Sequence, residues 1–404
     1  MNTVMQGVAD LPDGDGGRAR VLELAQLEGF EQVSFAPAAP LVEAREAALA
    51  RLAEGRLDGM AWITDEWLAR ATNPGAFLEG ARTVILFALP YRGREPSGAD
   101  AGTARGRVAR YARGRDYHRV FEKKLRRIAR ALREEFGAGA RATVDYGPLL
   151  ERPLAVAGGM GWQGKSTMLL VPRFGPWVLL GAIATTLAIA PDVPVKKSCG
   201  SCTRCIVACP TGAISPEGAV LDARLCISYH TIENRGPIPR ELRPKFGDWI
   251  FGCDACLDAC PVGAHNEASY PDFVPASLEE ARPALAPLLR LNAASFEARF
   301  RGRPIMRAKR DGFLRNVCIA LGNVGTKEDL PALVAALDDP AALVRGHAAW
   351  ALARLVDRLS DATLRADAAM ELEKLARKEE DPFVQDELKC ALDSLGDNLA
   401  SRVL

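Results

Sequence analysis

The sequence has no strong excess of either charge, since its 404 residues include 52 Lys and Arg against 51 Asp and Glu. A net charge of +1 cannot attract an acidic partner over a distance, so any such attraction must come from local patches. Apolar residues (48%) and charged residues (25%) stand at ordinary globular values, which excludes a disordered chain, collagen and a coiled-coil rod. At roughly 100–200 residues per domain, the length predicts two to four domains.

Long apolar runs and export signals are missing as well. The first twenty residues lack a positively charged start followed by an apolar core, so we expect no export and a cytoplasmic location. The longest uncharged stretch, 174–191, is interrupted by glycines and prolines, which favours buried strands over a transmembrane helix. Ten cysteines in a protein of this kind are more typical of metal sites than of disulfides.

The first half of the chain alternates helical patterns with short apolar runs, which predicts a layered domain of mixed α/β (α+β) class. The expected helices are 18–27, 41–53, 118–136 and 149–157, and the expected strands are 32–35, 83–89, 142–145 and runs within 168–189. From about 191 to 265 this pattern stops, and eight of the ten cysteines lie there among glycines and prolines. Such a segment needs a source of stability other than an apolar core.

The pattern of the last hundred residues predicts helices that repeat. Asp339-Pro340 and Asp381-Pro382 each fit a helix start and stand 42 residues apart, a period typical of HEAT and armadillo repeats. An ordinary helical bundle is the alternative, and either would offer a surface for a partner. We therefore expect four segments: an α/β domain 1–190, a cysteine-rich ferredoxin-like module 191–265, a connector with a basic patch 266–310, and HEAT-like repeats 311–404.

The cysteines follow the pattern of iron–sulfur proteins. Residues 199–210 read C-x2-C-x2-C-x3-C-P, in which three thiolates bind one [4Fe–4S] cluster and the fourth binds a second cluster. A second run at 253–261 lacks its first cysteine, because Ile250 stands there, and Cys226 is the candidate replacement. Exchanging the last cysteine of each run gives two sets: Cys199, Cys202, Cys205 and Cys260 for one cluster, and Cys209, Cys226, Cys253 and Cys256 for the other.

Two alternatives accompany this interpretation. Four-cysteine zinc sites also use C-x2-C pairs, although zinc does not require the x3-C-P continuation twice. A protein with two clusters could also be a non-catalytic electron carrier. The remaining cysteines, Cys318 and Cys390, lie in helical patterns and are expected to be buried small apolar residues.

The α/β domain should contain the electron acceptor, yet familiar nucleotide motifs do not identify it. Residues 159–166 match the phosphate-loop pattern G-x-x-x-x-G-K-[ST], but a helical pattern precedes them and a strand pattern follows, the reverse of the required order. Asp116-Tyr117-His118 begins like a cobalamin-binding D-x-H-x-x-G motif, but Phe121 occupies the glycine position, so we reject this match.

Seven segments carry a resemblance to a known family: ARYARGRDYH (109–118), VDYGPLLER (144–152), AGGMGWQGKST (157–167), ACPTGAI (208–214), LDARLCISYHTIENRG (221–236), IFGCDACLDACP (250–261) and GFLRNVCIALGN (312–323). In order and spacing they resemble epoxyqueuosine reductases, and the likeness runs from about residue 20 to the end. These are cobalamin-dependent iron–sulfur enzymes that reduce the epoxide of epoxyqueuosine at the wobble position of certain tRNAs.

The resemblance implies that two clusters deliver electrons to a bound cobalamin, because side chains lack such reducing power. It also implies that Asp145 donates a proton, which would require burial against the apolar face of the corrin to raise its pKa from about 3.9. An Asp that merely caps the next helix is the alternative. The implied cobalamin contacts are Arg70, Asp145, Trp162, Lys165, Ser166, Ser228, Asp254 and Ala255.

Three departures from the family pattern bear on the substrate. Ser166 stands where the family usually has Asn, His230 replaces a leucine, and Val262-Gly263 replaces a Trp-Asn pair. A related corrinoid iron–sulfur reductase with another substrate is therefore the alternative function.

Local charge fits a tRNA partner. Residues 299–315 carry seven Lys or Arg against one Asp, and residues 105–133 carry twelve against two acids, although a solvated helix face would explain the second patch equally well. The expected tRNA contacts are Arg303, Arg307, Lys309, Arg310 and Arg315. We further expect a low-potential electron donor such as a flavodoxin or ferredoxin, no membrane partner, and a monomer.

Overall fold

The computed structural model describes residues 14–98 and 102–400. The first half contains helices α1 Gly14–Leu27, α2 Val42–Ala53, α3 Asp65–Ala71, α4 Pro74–Phe77, α5 Tyr117–Phe136 and α6 Glu151–Ala157. Its strands are β1 Gln32–Pro37, β2 Thr83–Pro90, β3 Arg107–Val108, β4 Ala140–Thr143, β5 Trp162–Gln163, β6 Leu169–Leu170 and β7 Val178–Thr185.

The second half is almost entirely helical. It contains strand β8 Trp249–Phe251 and helices α7 Arg204–Val207, α8 Ile227–Ile232, α9 Ala255–Asp258, α10 Leu278–Ala281, α11 Leu285–Leu288, α12 Ala293–Phe300, α13 Lys309–Val324, α14 Leu330–Ala336, α15 Ala342–Leu359, α16 Ala362–Ala376 and α17 Pro382–Ala400. No helix in the described part of the chain has the length and apolar character needed to cross a membrane.

A four-stranded antiparallel sheet in the order β1-β2-β7-β4 forms the centre of the first domain. Strand β2 reads TVILFALP and is buried at every position, so both faces of the sheet must be covered. Helices α1 and α5 cover one face. Helix α6 covers the other. Gly181 in β7 allows close packing, because a Cβ there would lie 2.6 Å from the Phe121 ring.

Helix α5 positions the residues of the candidate site. Asp116 caps its first turn by accepting a hydrogen bond from the His118 N–H, and the helix ends at Gly137 in the left-handed conformation. Its buried residues recur every three or four positions and pack on the sheet. The first turn, with Tyr117 and His118, therefore lies at the end of the sheet near the β4–α6 loop.

Most predicted elements of the first domain are confirmed to within four residues at each end. Helices α3 and α4 and strands β3, β5 and β8 were not expected, because such short segments show little periodicity. The phosphate-loop match is set aside by its context, since residues 159–166 run from α6 into the β5–β6 hairpin with no helix after them.

Strands β3 and β8 pair in parallel and join the first domain to the cysteine-rich module. One apolar core then extends from this pair into the helical tail, where α13, α15 and α17 pack in succession. Cys318 is buried in that core as expected, but Cys390 is exposed, which corrects the prediction. The buried stripe of α17 runs through Val384, Leu388, Ala391 and Leu395, and position 390 lies off it.

A buried ion pair joins the tail to the segment before β8. Arg243 and Glu387 are almost fully buried and form two hydrogen bonds of 2.8 and 2.7 Å. We expect Glu387→Ala to lower the free energy of unfolding by about 3–5 kcal/mol, because the Arg243 charge would stay buried without a partner. Thermal denaturation checks this, with the exposed neighbour variant Asp386→Ala as control; equal melting temperatures for the two variants would contradict it.

Candidate active site and cluster-binding cysteines

Asp145 lies in the tight loop between β4 and α6. Its φ of 38° is in the left-handed region, and its backbone N–H donates a 2.9 Å hydrogen bond to Glu151 Oε1. Gly147 is required in this loop, since a Cβ there would lie 1.5 Å from Thr143 Oγ1. Glu151 therefore holds the Asp145 backbone in a strained conformation.

The Asp145 carboxylate meets two side chains from the start of α5. Tyr117 donates its hydroxyl proton to Asp145 Oδ2 at 2.7 Å, and His118 Nε2 lies 3.4 Å from the same oxygen. The other ring nitrogen of His118 lies 2.7 Å from Asp116 Oδ1. The result is a connected chain of ionisable groups, Asp116, His118, Asp145 and Tyr117.

The protonation states in this chain differ from the sequence expectation. Partial desolvation opposes the shift, but hydrogen bonds from His118 and Tyr117 hold the pKa of Asp145 below its usual value. The side chain is 63% exposed, so the protein's own residues do not bury it, and burial against a corrin face stays a prediction. The proton resides on its neighbour: although burial lowers the pKa of His118, hydrogen bonds to Asp116 and Asp145 raise it to about 9.

Glu151 is half-buried and is the acid of the site with a raised pKa. Burial, reinforced by the charge of Asp145, raises the pKa of Glu151 to about 8. A neutral carboxyl group can still accept the Asp145 N–H, so its role in holding the loop does not depend on charge.

Tyr111 connects this group to the cysteine-rich module. Its ring packs edge-on against Tyr117 at 6.0 Å and tilts against Phe251 at 6.2 Å. Burial raises the pKa of the Tyr111 hydroxyl, and the charges of Asp145 and Asp254 raise it further. Tyr111 therefore stands between the candidate proton donor and the segment that carries Cys253 and Cys256.

Asp254 is buried between these two cysteines. Its carboxylate accepts a 2.8 Å hydrogen bond from the Arg110 N–H, and burial raises its pKa to about 6. Ala255, which follows it, begins α9 and is half-buried.

The structure brings the cysteines together in two groups. Helix α7 packs against α9, and burial together with the three thiols of the first run raises the pKa of Cys260. Burial and then the neighbouring Cys253 and Cys226 raise the pKa of Cys256. We name the groups the outer set (Cys199, Cys202, Cys205, Cys260) and the inner set (Cys209, Cys226, Cys253, Cys256).

The two sets contain the same residues as the predicted exchange of the last cysteine of each run, and their role as cluster ligands stays a prediction. All ten thiols are free of disulfides. Within the described residues, no three His, Cys, Asp or Glu side chains are placed to hold a single metal ion.

The predicted corrinoid loop lies against the outer set. The Lys165 N–H donates to Cys199 Sγ at 3.4 Å, and Ser166 is buried. Trp162 carries a buried indole N–H for which the described residues supply no acceptor. Such a donor fits a ligand with polar groups around its edge, as the amide side chains of cobalamin provide, because an unpaired buried N–H is otherwise costly.

The other predicted cobalamin contacts are less closely connected to the loop of Trp162, Lys165 and Ser166. Ser228 hydrogen-bonds to the thiol of Cys226, so the structure associates it with the inner set. Arg70 lies exposed in the last turn of α3. His230 is buried, with its Nε2 2.6 Å from the Arg224 carbonyl, so this departure from the family pattern lies behind the site.

Four of the five predicted tRNA contacts already have partners within the protein, and the burial of Arg315 corrects the prediction for that residue. Arg315 is fully buried and donates to the carbonyls of Asn234, Gly236 and His230. Burial lowers its pKa to about 9. Arg310 pairs with Asp339, and Arg303 pairs with Glu280. Arg307 is exposed but pairs with Glu233 at 2.8 Å, and Lys309 is exposed.

The basic stretch 105–133 is likewise largely neutralised. Arg113 pairs with Glu95, Arg115 with Asp272, and Arg127 with Glu28. A count of charges cannot reveal such pairing, because the acids come from distant parts of the chain. This pairing favours structural and solvated roles for the arginines of 105–133 over a phosphate-binding surface.

Sequence reasoning missed four residues of the site: Tyr111, Tyr117, His118 and Glu151. Their signal was present, since all four lie in the segments 109–118 and 144–152 that carry the family resemblance. His118 was considered only as part of a cobalamin motif and set aside with it. The structure gives it a different place, beside Asp145.

Two four-thiol sets beside a group of proton-carrying side chains define an iron–sulfur oxidoreductase. Family comparisons agree: residues 198–263 match a 4Fe-4S double cluster binding domain, residues 71–146 match "Epoxyqueuosine reductase QueG, DUF1730", and residues 304–396 match HEAT repeats. An epoxyqueuosine reductase from Xanthomonas campestris pv. campestris is 38% identical over 357 residues, which cover 87% of this chain and 99% of that protein. The chain belongs to the epoxyqueuosine reductase family.

Solved structures of this family share the fold. An epoxyqueuosine reductase crystallised with an epoxyqueuosine-modified tRNA-Tyr stem loop aligns with a TM-score of 0.87 at 29% identity, covering 95% of this chain and all of that one. The Bacillus subtilis enzyme, with its catalytic aspartate loop swung out of the active site, aligns with a TM-score of 0.85 at 28% identity and the same coverage. The predicted HEAT-like tail is confirmed, and zinc is set aside in favour of two [4Fe–4S] clusters with cobalamin.

Proposed function

We propose that this chain reduces epoxyqueuosine to queuosine at the wobble position of tRNA. The observation that carries the proposal is the match, along 95% of the chain, to a reductase crystallised with an epoxyqueuosine-modified tRNA stem loop. Two cluster sites next to proton-carrying side chains suit this reaction, since it consumes two electrons and two protons. A cytoplasmic location follows from a tRNA substrate.

The chain would hold its cofactors in two adjoining regions. The outer and inner sets would bind the two clusters, and cobalamin would lie between Asp145 and Asp254, with Trp162, Lys165 and Ser166 along its edge. When bound, cobalamin supplies a strongly reducing cobalt centre that no side chain can replace. The domain division into 1–190, 191–265, 266–310 and 311–404 belongs to this proposal; residues 1–13, 99–101 and 401–404 lie outside the described part.

The side chains around Asp145 would hold and transfer the protons that the reaction consumes. Asp145 is ionised in this structure, so it must receive a proton before it can donate one to the departing epoxide oxygen. His118, protonated up to about pH 9, lies 3.4 Å away and can supply that proton. A substrate base that covered the exposed Asp145 would exclude water and raise the pKa of the carboxyl group, favouring this transfer.

This arrangement predicts a loss of activity at high pH. Because the pKa of His118 is raised to about 9, kcat/KM should be constant below that pH and fall about tenfold per pH unit above it. His118→Asn should lower kcat/KM and remove this alkaline limb. Steady-state rates between pH 7 and 10, with iron content measured at each pH, test the prediction. A wild-type profile that stays flat through pH 10 would contradict it.

The mouth of the site offers groups that suit a single-stranded anticodon loop. Trp62 and Tyr146 are exposed aromatic residues, and the Arg307 guanidinium lies 5.8 Å from the Trp62 ring. Splayed bases stack on such side chains, while Lys309, and the exposed Arg307 on leaving its partner Glu233, can contact phosphates. We propose these four residues, in place of Arg303, Arg310 and Arg315, as the tRNA contacts nearest Asp145.

The decisive experiment is mass spectrometry of tRNA nucleosides after incubation with the reconstituted enzyme, cobalamin and dithionite. We expect epoxyqueuosine to disappear and queuosine to appear in equal amount. Protein without cobalamin is the control. If epoxyqueuosine remains while the reduced enzyme is fully loaded with iron and cobalamin, the alternative of a related reductase with another substrate takes its place.

A further inference from the structure

We infer that the surface formed by Val193, Lys196, Lys197, Arg204 and Val207 is the docking site for an acidic one-electron carrier protein. We name this surface the entry face. The inference rests on the proposed function, because it assumes that the outer set binds a cluster. It adds where electrons enter the molecule and what kind of protein delivers them.

The entry face is unusually apolar for an exposed surface. Val207 is 82% exposed and Val193 is 79% exposed, higher values than those of any other large apolar residue in the described ranges 14–98 and 102–396. Val207 lies at the end of α7, between the cluster candidates Cys205 and Cys209. Exposed apolar side chains at such a point are typical of a protein contact.

The charges on the entry face have one sign. Residues 193–216 contain Lys196, Lys197 and Arg204 and no acid, whereas the whole chain carries +1. All three are exposed, and none forms an ion pair with any residue that the structure describes. Arg18 neutralises the flanking Asp192 at 2.6 Å. Three cations without an ion pair, in the segment that runs between the two exposed valines, favour an acidic partner.

The position of the outer set explains why electrons should enter here. Within the inner set, Cys253 and Cys256 alternate along the chain with the buried residues Phe251, Asp254 and Leu257. The residues around the outer set, from Lys196 to Arg204, are mostly exposed. A carrier protein can therefore approach the outer set closely, while the inner set faces Tyr111 and the candidate active site.

The electron balance requires two encounters with the carrier. Each reduced carrier gives up one electron and is itself oxidised. Two electrons and two protons convert the epoxide into a carbon–carbon double bond and one water molecule. A carrier that must leave after each transfer suits a small interface, below about 1,200 Å², with an apolar centre and a charged rim.

Charge reversal separates docking from catalysis. We expect the double variant Lys196→Glu with Arg204→Glu, in the holoenzyme, to weaken binding of reduced flavodoxin by roughly tenfold or more at low salt. The rate of flavodoxin-driven cluster reduction should fall in parallel. The affinity of the variant for flavodoxin should also depend less steeply on salt than the affinity of the wild type does. Turnover driven by dithionite, which needs no docking surface, should stay at the wild-type rate.

Two further variants complete the test. Val207→Asp should weaken flavodoxin binding without changing dithionite-driven turnover. The matched control is Arg126→Glu with Arg130→Glu, two exposed cations on α5, which should leave flavodoxin binding unchanged. Titration calorimetry gives the affinities, and the absorbance of the clusters gives the reduction rates.

Two results would overturn the inference. One is an unchanged flavodoxin affinity and reduction rate in both entry-face variants. The other is weaker tRNA binding with unchanged flavodoxin binding, which would make the face a nucleic-acid surface. Failure of the proposed function is distinguishable, because wild-type enzyme with dithionite would then leave epoxyqueuosine unreduced whatever the affinity for flavodoxin.

Discussion

Asp145→Asn is expected to lower turnover by about 10²–10⁴-fold while leaving iron and cobalamin content unchanged. An amide of the same shape still accepts the hydrogen bond from Tyr117, but it cannot carry a proton from His118 to the substrate. Single-turnover conversion of epoxyqueuosine in tRNA, measured with dithionite as reductant, checks this expectation. Full activity of the variant would remove Asp145 from its role as acid.

A pair of variants at Glu151 separates its two possible roles, which are to carry a proton and to hold the loop of Asp145. Glu151→Gln keeps an oxygen that can accept the Asp145 N–H, so most activity should remain. Glu151→Leu removes that acceptor and should release the left-handed conformation at Asp145. Equal losses in both variants would show that Glu151 acts through its proton instead of through its hydrogen bond.

Cys226→Ser is expected to halve the iron content, from about eight to about four atoms per chain, and to abolish turnover. The outer set would keep its cluster, but electrons could no longer reach the candidate active site through the inner set. Iron analysis and electron paramagnetic resonance of anaerobic protein measure the change. Cys390→Ser is the matched control, because this exposed thiol belongs to neither set. A full complement of iron in Cys226→Ser would show that the assignment of ligands is wrong.

The structure explains why the second cysteine run is incomplete. Ile250 lies in β8 and is fully buried in the core shared with the helical tail, 2.8 Å from where a Cβ of Gly106 would stand. A thiol at position 250 would therefore point into that core. Cys226 precedes α8, which packs on β8, and this packing brings its thiol to Cys253.

Periodicity along the chain predicted the elements of the first domain well, because its long strands and helices have strong apolar patterns. The same reasoning failed at Cys390, where a helical pattern was taken to mean burial. Only residues on the inner stripe of α17 are buried, and that stripe is set by packing against α15. Likewise, the charge excess at 299–315 was read as a tRNA surface, although Arg315 is a buried donor to backbone carbonyls.

The sequence by itself predicted the two cluster sites, because ligands two or three residues apart have a local geometry that spacing along the chain dictates, and the resemblance of seven segments indicated the family. Only the tertiary structure decided the chemistry around Asp145. His118 and Asp145 are 27 residues apart and belong to different elements. Their contact depends on how α5 and the β4–α6 loop pack at the end of one sheet, and the pKa of each group depends on that contact.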